Sequence, residues 1–174
     1  VIEKISKYME QNTTVGVLMP KILNLDGSLQ FARRLLPSPF DIFRKKMFPH
    51  FLHPKKYEMT DYEPNKPIKI VGLCGCFMFL RIDALKVVGL FDERYFMYFE
   101  DFDLCRRIAI KFSSIYYPNT SVVHYSNNEH RRSLKLLYYA TRATILYFNK
   151  WGYIDKERLA LNEKVYDSII KRKD

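Results

Sequence analysis

Three carboxylates, Glu100, Asp101 and Asp103, close a run of aromatic side chains in the stretch Tyr95-Phe96-Met97-Tyr98-Phe99-Glu100-Asp101-Phe102-Asp103. Carboxylates set against apolar surface lose hydration, which raises the carboxyl pKa toward the range where it accepts a proton in catalysis. The stretch therefore reads as a general-base candidate at the opening of a helix. It also has a structural reading. The first turn of a helix favours carboxylates, and Arg106 and Arg107 follow as ion-pair partners. On a helix Glu100 and Asp103 share a face, and Asp101 points about a quarter turn away.

Other residues carry potential chemistry. His124 closes the apolar run Val122-Val123-His124. A histidine at a strand's end is either a metal ligand or a satisfied surface residue. Arg131, Arg132 and Lys135 open a helical segment in which Arg142 and Lys150 interleave with Tyr138, Tyr139, Tyr147 and Phe148. That pattern fits a solvated face, a phosphate- or acceptor-binding surface, or a contact with an anionic bilayer. Cys74 and Cys76 are two apart and share a face if strand-like. With no second pair they read as small buried residues rather than a zinc site. Gly72 and Gly75 leave room for close approach to the backbone.

The elements that must position these residues follow from periodicity. Ile2, Ile5, Tyr8 and Met9 predict a short helix over 1–10. Val15 to Met19 reads as a buried strand closed by Pro20, and Asp26-Gly27 as a tight hairpin turn into a second short strand over 29–36. The segment 37–67 holds six prolines among lysines and aromatics. It reads as a loop, with an amphipathic helix over 40–52 that either covers the core or forms a flap. Residues 68–71 and 74–80 are strand-like, and Asp83 caps a short helix ended by Gly89. A helix is predicted from about Glu100 to Lys111, strands over 115–118 and 121–124, and helices over 134–150 and 159–171.

The whole chain sets bounds. Its 174 residues are enough for one domain with a core, and 48% apolar content argues against disorder. A net charge of +10 favours an anionic partner: nucleic acid, a phosphorylated substrate or an acidic membrane face. The odd count of three cysteines, without framework spacing, points to a reducing compartment. Against nucleic acid, the basic residues are dispersed and form no standard binding motif.

Together these segments resemble a known family. Gly72-Leu73-Cys74-Gly75-Cys76-Phe77-Met78-Phe79-Leu80-Arg81, Val88-Gly89-Leu90-Phe91-Asp92-Glu93 and Phe96-Met97-Tyr98-Phe99-Glu100-Asp101-Phe102-Asp103-Leu104-Cys105-Arg106-Arg107 are similar to bacterial family 2 glycosyltransferases of the GT-A fold. The likeness is closest to the rhamnosyltransferase-like branch. Val15 to Gln30 upstream, and Tyr117-Pro118 with Val122-Val123-His124 downstream, fit the same branch.

The resemblance implies an α/β fold, the C-terminal portion of a GT-A domain, with a mixed sheet and packed helices. Residues 1–150 would form the acceptor and catalytic-base part, and 151–174 a helical tail. It implies transfer of a sugar, rhamnose by branch, from a nucleotide-diphospho-sugar to a glycan or lipid-linked acceptor with inversion, in cell-envelope polysaccharide synthesis. Asp101 would be the base and Glu100 and Asp103 its supports. Gly72, Gly75 and Cys76 would border the acceptor and donor-sugar pocket. Arg131, Arg132 and Arg142 would bind phosphate or acceptor. His124 would complete a divalent metal site (Mg2+ or Mn2+), although the glycine that many relatives carry soon after it is missing here. No acidic Asp-x-Asp-type motif precedes Val15, so the expectation is a piece lacking the nucleotide-binding half, inactive and metal-free alone. A half-sheet would expose an edge and favour a homodimer. The expected location is cytoplasmic, peripheral at the inner face of the cytoplasmic membrane. The alternative reading is a basic nucleic-acid- or membrane-surface-binding module without catalysis.

Overall fold

The structure, a computed structural model, describes residues 1–47, 55–60, 63–125 and 133–170. Its spine is a parallel pair, β1 (Val15–Leu23) and β6 (Ser113–Val123), paired from Val15–Ser113 to Leu23–Val123. Two short strands flank the spine, both antiparallel: β3 (Ile68–Lys69) beside β6 and β5 (Phe79–Leu80) beside β1. A separate two-stranded sheet joins β2 (Arg33–Arg34) to β4 (Gly72–Leu73). The architecture is α/β with a mixed main sheet.

Burial along β1 is unbroken from Val15 to Pro20 because both faces are covered. Strand alternation sends Leu18 toward helix α1 (Ile2–Gln11), where Ile5 and Met9 bury. Val17 and Met19 face the larger core under helix α5 (Glu100–Lys111), with Leu104, Cys105 and Ile108. Pro20 does not close the strand as its missing N–H suggested. It sits at a shift of register between Pro20 and Lys21, where the ladder tolerates a residue that cannot donate.

Several expectations change in detail. The second hairpin strand shrinks to a single bridge, Leu23 to Leu29, plus β2. The segment 37–67 contains helices α2 (Pro39–Met47) and α3 (Lys55–Glu58), and the rest of the expected helix over 40–52 lies outside the described residues. Residues 74–80 are a turn rather than a strand until β5 begins at Phe79, so Cys74 and Cys76 do not share a strand face. Helix α4 (Ile82–Val88) has Arg81, not Asp83, at its N-cap, and Asp83 pairs with Lys86 instead. The two strands expected over 115–124 are one, β6.

Helices α6 (Leu134–Trp151) and α7 (Lys156–Ile170) close the fold. The tail packs into the same core: Val165 and Ile169 are buried, and the Asn162 amide clamps the backbone N–H and carbonyl of Leu36 at 2.8 and 2.9 Å. No helix among the described residues is long and apolar enough to cross a membrane.

Candidate active site

The site is built where β4, the turn after it and the start of α5 meet. Gly72 pairs with Arg34 across the small sheet. A Cβ on Gly72 would lie 2.8 Å from the Arg34 carbonyl oxygen and 2.8 Å from Cε1 of Phe102. Only glycine lets β2 and the Phe102 ring close on this strand. The missing side chain of Gly72 thus admits the protein's own atoms.

Gly75 behaves differently. It is exposed, and its N–H donates to Oδ2 of Asp101 at 3.0 Å. A Cβ there would stand 3.5 Å from Asp101 Cβ and 3.7 Å from Glu100 Oε1, in ordinary contact. Gly75 is therefore an uncovered window onto both carboxylates.

The chain enters α5 under strain. Tyr98 and Phe99 both adopt left-handed backbone, at φ 68° and 65°, which costs roughly 1 kcal/mol or more per non-glycine residue. The bend buries the Phe99 ring against Tyr147 and Phe102, with centroids 5.0 and 5.8 Å away, and leaves Glu100 and Asp101 at the helix opening.

The three carboxylates then part company. Asp101 is held by two backbone donors, Gly75 N–H on Oδ2 and Phe102 N–H on Oδ1 at 2.8 Å. Burial nevertheless pushes its carboxyl above the usual aspartate range, against the pull of those bonds and of the Arg34 charge. Glu100 is raised too, first by burial and then by the neighbouring Asp101 charge. Its Oε2 is buried with no hydrogen-bond partner among the described residues.

Asp103 is wholly buried and fully engaged. It meets Arg107 Nε at 3.0 Å, Lys150 Nζ at 2.7 Å and the Trp151 indole N–H at 2.8 Å. It ties α5 to α6 and so supports the site through the fold rather than beside Asp101. The helix-face argument paired Glu100 with Asp103; the structure pairs Glu100 with Asp101 across Gly75.

Cys76 lines the turn near Cys74, and the mutual influence of the two thiols lowers Cys74 to about 7 and raises Cys76. His124 is joined through Nδ1 to Gln30 Oε1 at 2.9 Å. No group of three or more His, Cys, Asp or Glu that could hold a metal occurs among the described residues, and one imidazole does not make a metal site. Arg142 is exposed and donates to the Arg94 carbonyl at 3.3 Å, and Arg131 and Arg132 lie outside the described residues. Cavities of about 160 and 500 Å³ run along α7, and neither is lined by Glu100 or Asp101.

One residue escaped the sequence reading. Arg34 reaches Asp101 electrostatically from β2. The available signal was the pair Arg33-Arg34 in a strand, where alternation must send the two guanidinium groups to opposite faces.

The chain is 35% identical over 119 residues to the N-acetylglucosaminyl-diphospho-decaprenol L-rhamnosyltransferase of Mycobacterium tuberculosis, in both strain CDC 1551 / Oshkosh and strain ATCC 25618 / H37Rv. That match covers 63% of this chain and 37% of the relative. It is 38% identical over 64 residues to rhamnosyltransferase WbbL of Escherichia coli (strain K12), covering 36% of this chain and 24% of that protein. The chain thus matches little more than a third of the length of the mycobacterial relatives. These relatives bear out the resemblance to rhamnosyltransferases. No family model and no solved structure matches.

Proposed function

We propose that this chain is the acceptor and catalytic-base part of an inverting glycosyltransferase of GT-A type, family 2, acting in cell-envelope glycan synthesis. Asp101 takes the proton from an acceptor hydroxyl. The oxygen attacks the anomeric carbon of a nucleotide-diphospho-sugar, a new C–O bond forms on the opposite face, and the bond to the departing nucleoside diphosphate breaks. Rhamnose is the sugar and a lipid-linked diphosphate saccharide the acceptor, in keeping with the relatives' names. In the whole enzyme a divalent metal would accompany the donor, and no step here is assigned to it.

One observation carries this reading. Asp101 is half-buried, held in place by two backbone N–H groups, raised in pKa and without an ion pair among the described residues, beside the uncovered Gly75. A carboxylate kept in that condition suits a base. The test is sugar transfer by the enzyme containing Asp101→Asn. Loss of about two to four orders of magnitude in rate is expected. Transfer near the wild-type rate would remove Asp101 as the base.

A second reading rests on α6, whose outward stripe of Leu134, Leu137, Tyr138 and Ile145 is exposed. This face would lie on an anionic bilayer, compatible with the first reading or replacing it. Flotation with anionic liposomes decides: a protein that never floats does not depend on this contact.

A further inference from the structure

The two arginines of β2 meet opposite fates. Arg33 points inward and is fully buried. Its Nη2 pairs with Glu63 at 3.0 Å, and its guanidinium lies over the Tyr116 ring at 4.7 Å. Arg34, opposite Gly72 in the small sheet, lies on the other face, and its charge interacts with Tyr57, Glu58, Cys74 and Asp101. It makes no hydrogen bond or ion pair among the described residues, and its Nε is buried without a partner.

Its acidic neighbours are already committed. Glu58 takes Lys45 at 2.7 Å. Asp101 spends both oxygens on backbone donors. The Tyr57 phenol is held neutral by burial. A half-buried guanidinium with its donors unspent carries a desolvation cost that a bound anion would offset. Arg presents donors in a planar fork that matches phosphate oxygens in pairs.

We infer that Arg34 is the anchor for a diphosphate group beside Asp101, through paired N–H bonds to phosphate oxygens. This deepens the reading of Asp101 as base and rests on it for its biological meaning. Both substrates proposed above carry a diphosphate: the donor's departing nucleoside diphosphate and the acceptor's lipid diphosphate. With an anion on Arg34, that cation no longer favours the ionised form of Asp101, so bound diphosphate makes Asp101 a stronger base.

The test is titration of inorganic pyrophosphate into the intact protein carrying isotope-labelled arginine, observing side-chain Nε–H resonances. The Arg34 resonance is identified by its disappearance in Arg34→Lys. It is expected to shift saturably in wild type, with sulfate shifting it less. Arg34→Gln should weaken pyrophosphate binding by about tenfold or more, and Arg34→Lys by less. Nucleoside diphosphate and a short-chain polyprenyl diphosphate, titrated separately, assign the source: the tighter of the two is the natural ligand. An unmoved Arg34 resonance at millimolar pyrophosphate overturns the inference. So does binding that Arg142→Gln abolishes and Arg34→Gln leaves intact. The wild-type titration needs no variant to fold. If Asp101→Asn stops transfer while Arg34 stays silent, only this inference falls. If Arg34 responds while Asp101→Asn remains active, the base assignment falls and the anion site stands.

Discussion

Two clusters of charge meet on the same helix, one buried and one half-buried, and could hardly be more different. At the inner face of α5, Asp103 meets Arg107, Lys150 and Trp151. One turn on, Arg106 pairs with Asp155 and with Glu157 at 3.0 Å and lies over the Trp151 ring at 4.0 Å. At the helix opening, half-buried Glu100 and Asp101, with the Arg34 charge acting on Asp101, make no ion pair among the described residues. Pairing of the first kind binds α5 to α6 and α7. Its absence in the second leaves charges available to something outside the chain.

Substitutions at Asp101 and Asp103 should therefore separate cleanly, and they are the largest effects expected. Asp101→Asn should cut sugar transfer by about two to four orders of magnitude and change stability by about 1 kcal/mol or less, since relief from burying a charge offsets a weakened backbone bond. Asp103→Asn leaves Arg107 and Lys150 facing a neutral amide and should cost about 3 kcal/mol, read as a lower denaturation midpoint. If Asp101→Asn unfolds the protein and Asp103→Asn does not, the two clusters have been assigned the wrong way round.

The glycines repeat the contrast on a smaller scale. Gly72→Ala forces a methyl to within 2.8 Å of a backbone oxygen and an aromatic carbon, and should cost about 1–3 kcal/mol. Gly75→Ala meets nothing closer than 3.5 Å, so the melting temperature should hold while the methyl shields Glu100 and Asp101 from an incoming hydroxyl and lowers the transfer rate. Equal melting temperatures for the two variants would mean that Gly72 is not the tighter position.

How far the sequence revealed this arrangement depended on the range of the forces involved. Helix α5 was legible to the residue because its apolar spacing and acidic first turn are local. The long strand β6 was read as two, because its continuity comes from eight pairings with β1 that no local signal announces. The turn at Gly75 was read as strand, because Cys74 to Leu80 is apolar and the contact that bends it comes from Asp101, 26 residues away. The family resemblance singled out Asp101 among the three carboxylates, but their pairing was not legible. Which one is paired depends on Lys150 and Trp151, and spacing on one helix cannot show a partner on another. Arg34 went unread for the same reason: an unmet charge is visible only once every neighbour's partner is known.

The same division should appear in pH dependence, with opposite signs. Asp155 is pushed up by burial but pulled further down by Arg106, so its net shift is downward. Its contribution to stability is present above the ordinary carboxylate range and fades as pH falls through the lowered pKa. Asp101 is shifted upward, so the acid limb of transfer activity should fall at a higher pH than an ordinary aspartate would give.

Glu100 gives the smallest and most selective test. Its folded pKa lies above the unfolded value, so the folded state holds that proton more tightly. The stability this contributes is complete below about pH 4 and is lost as pH rises through the raised pKa. Glu100→Gln cannot ionise. It removes both the unpartnered charge and the repulsion on Asp101, and should stabilise the protein at neutral pH by a few tenths to about 1 kcal/mol. That advantage should vanish in acid, while the acid limb of activity, set by the burial of Asp101, should stay in place. A variant equally stabilised at every pH would show that packing, not charge, made the difference. An acid limb that moves to lower pH would show that Glu100 ionises before Asp101.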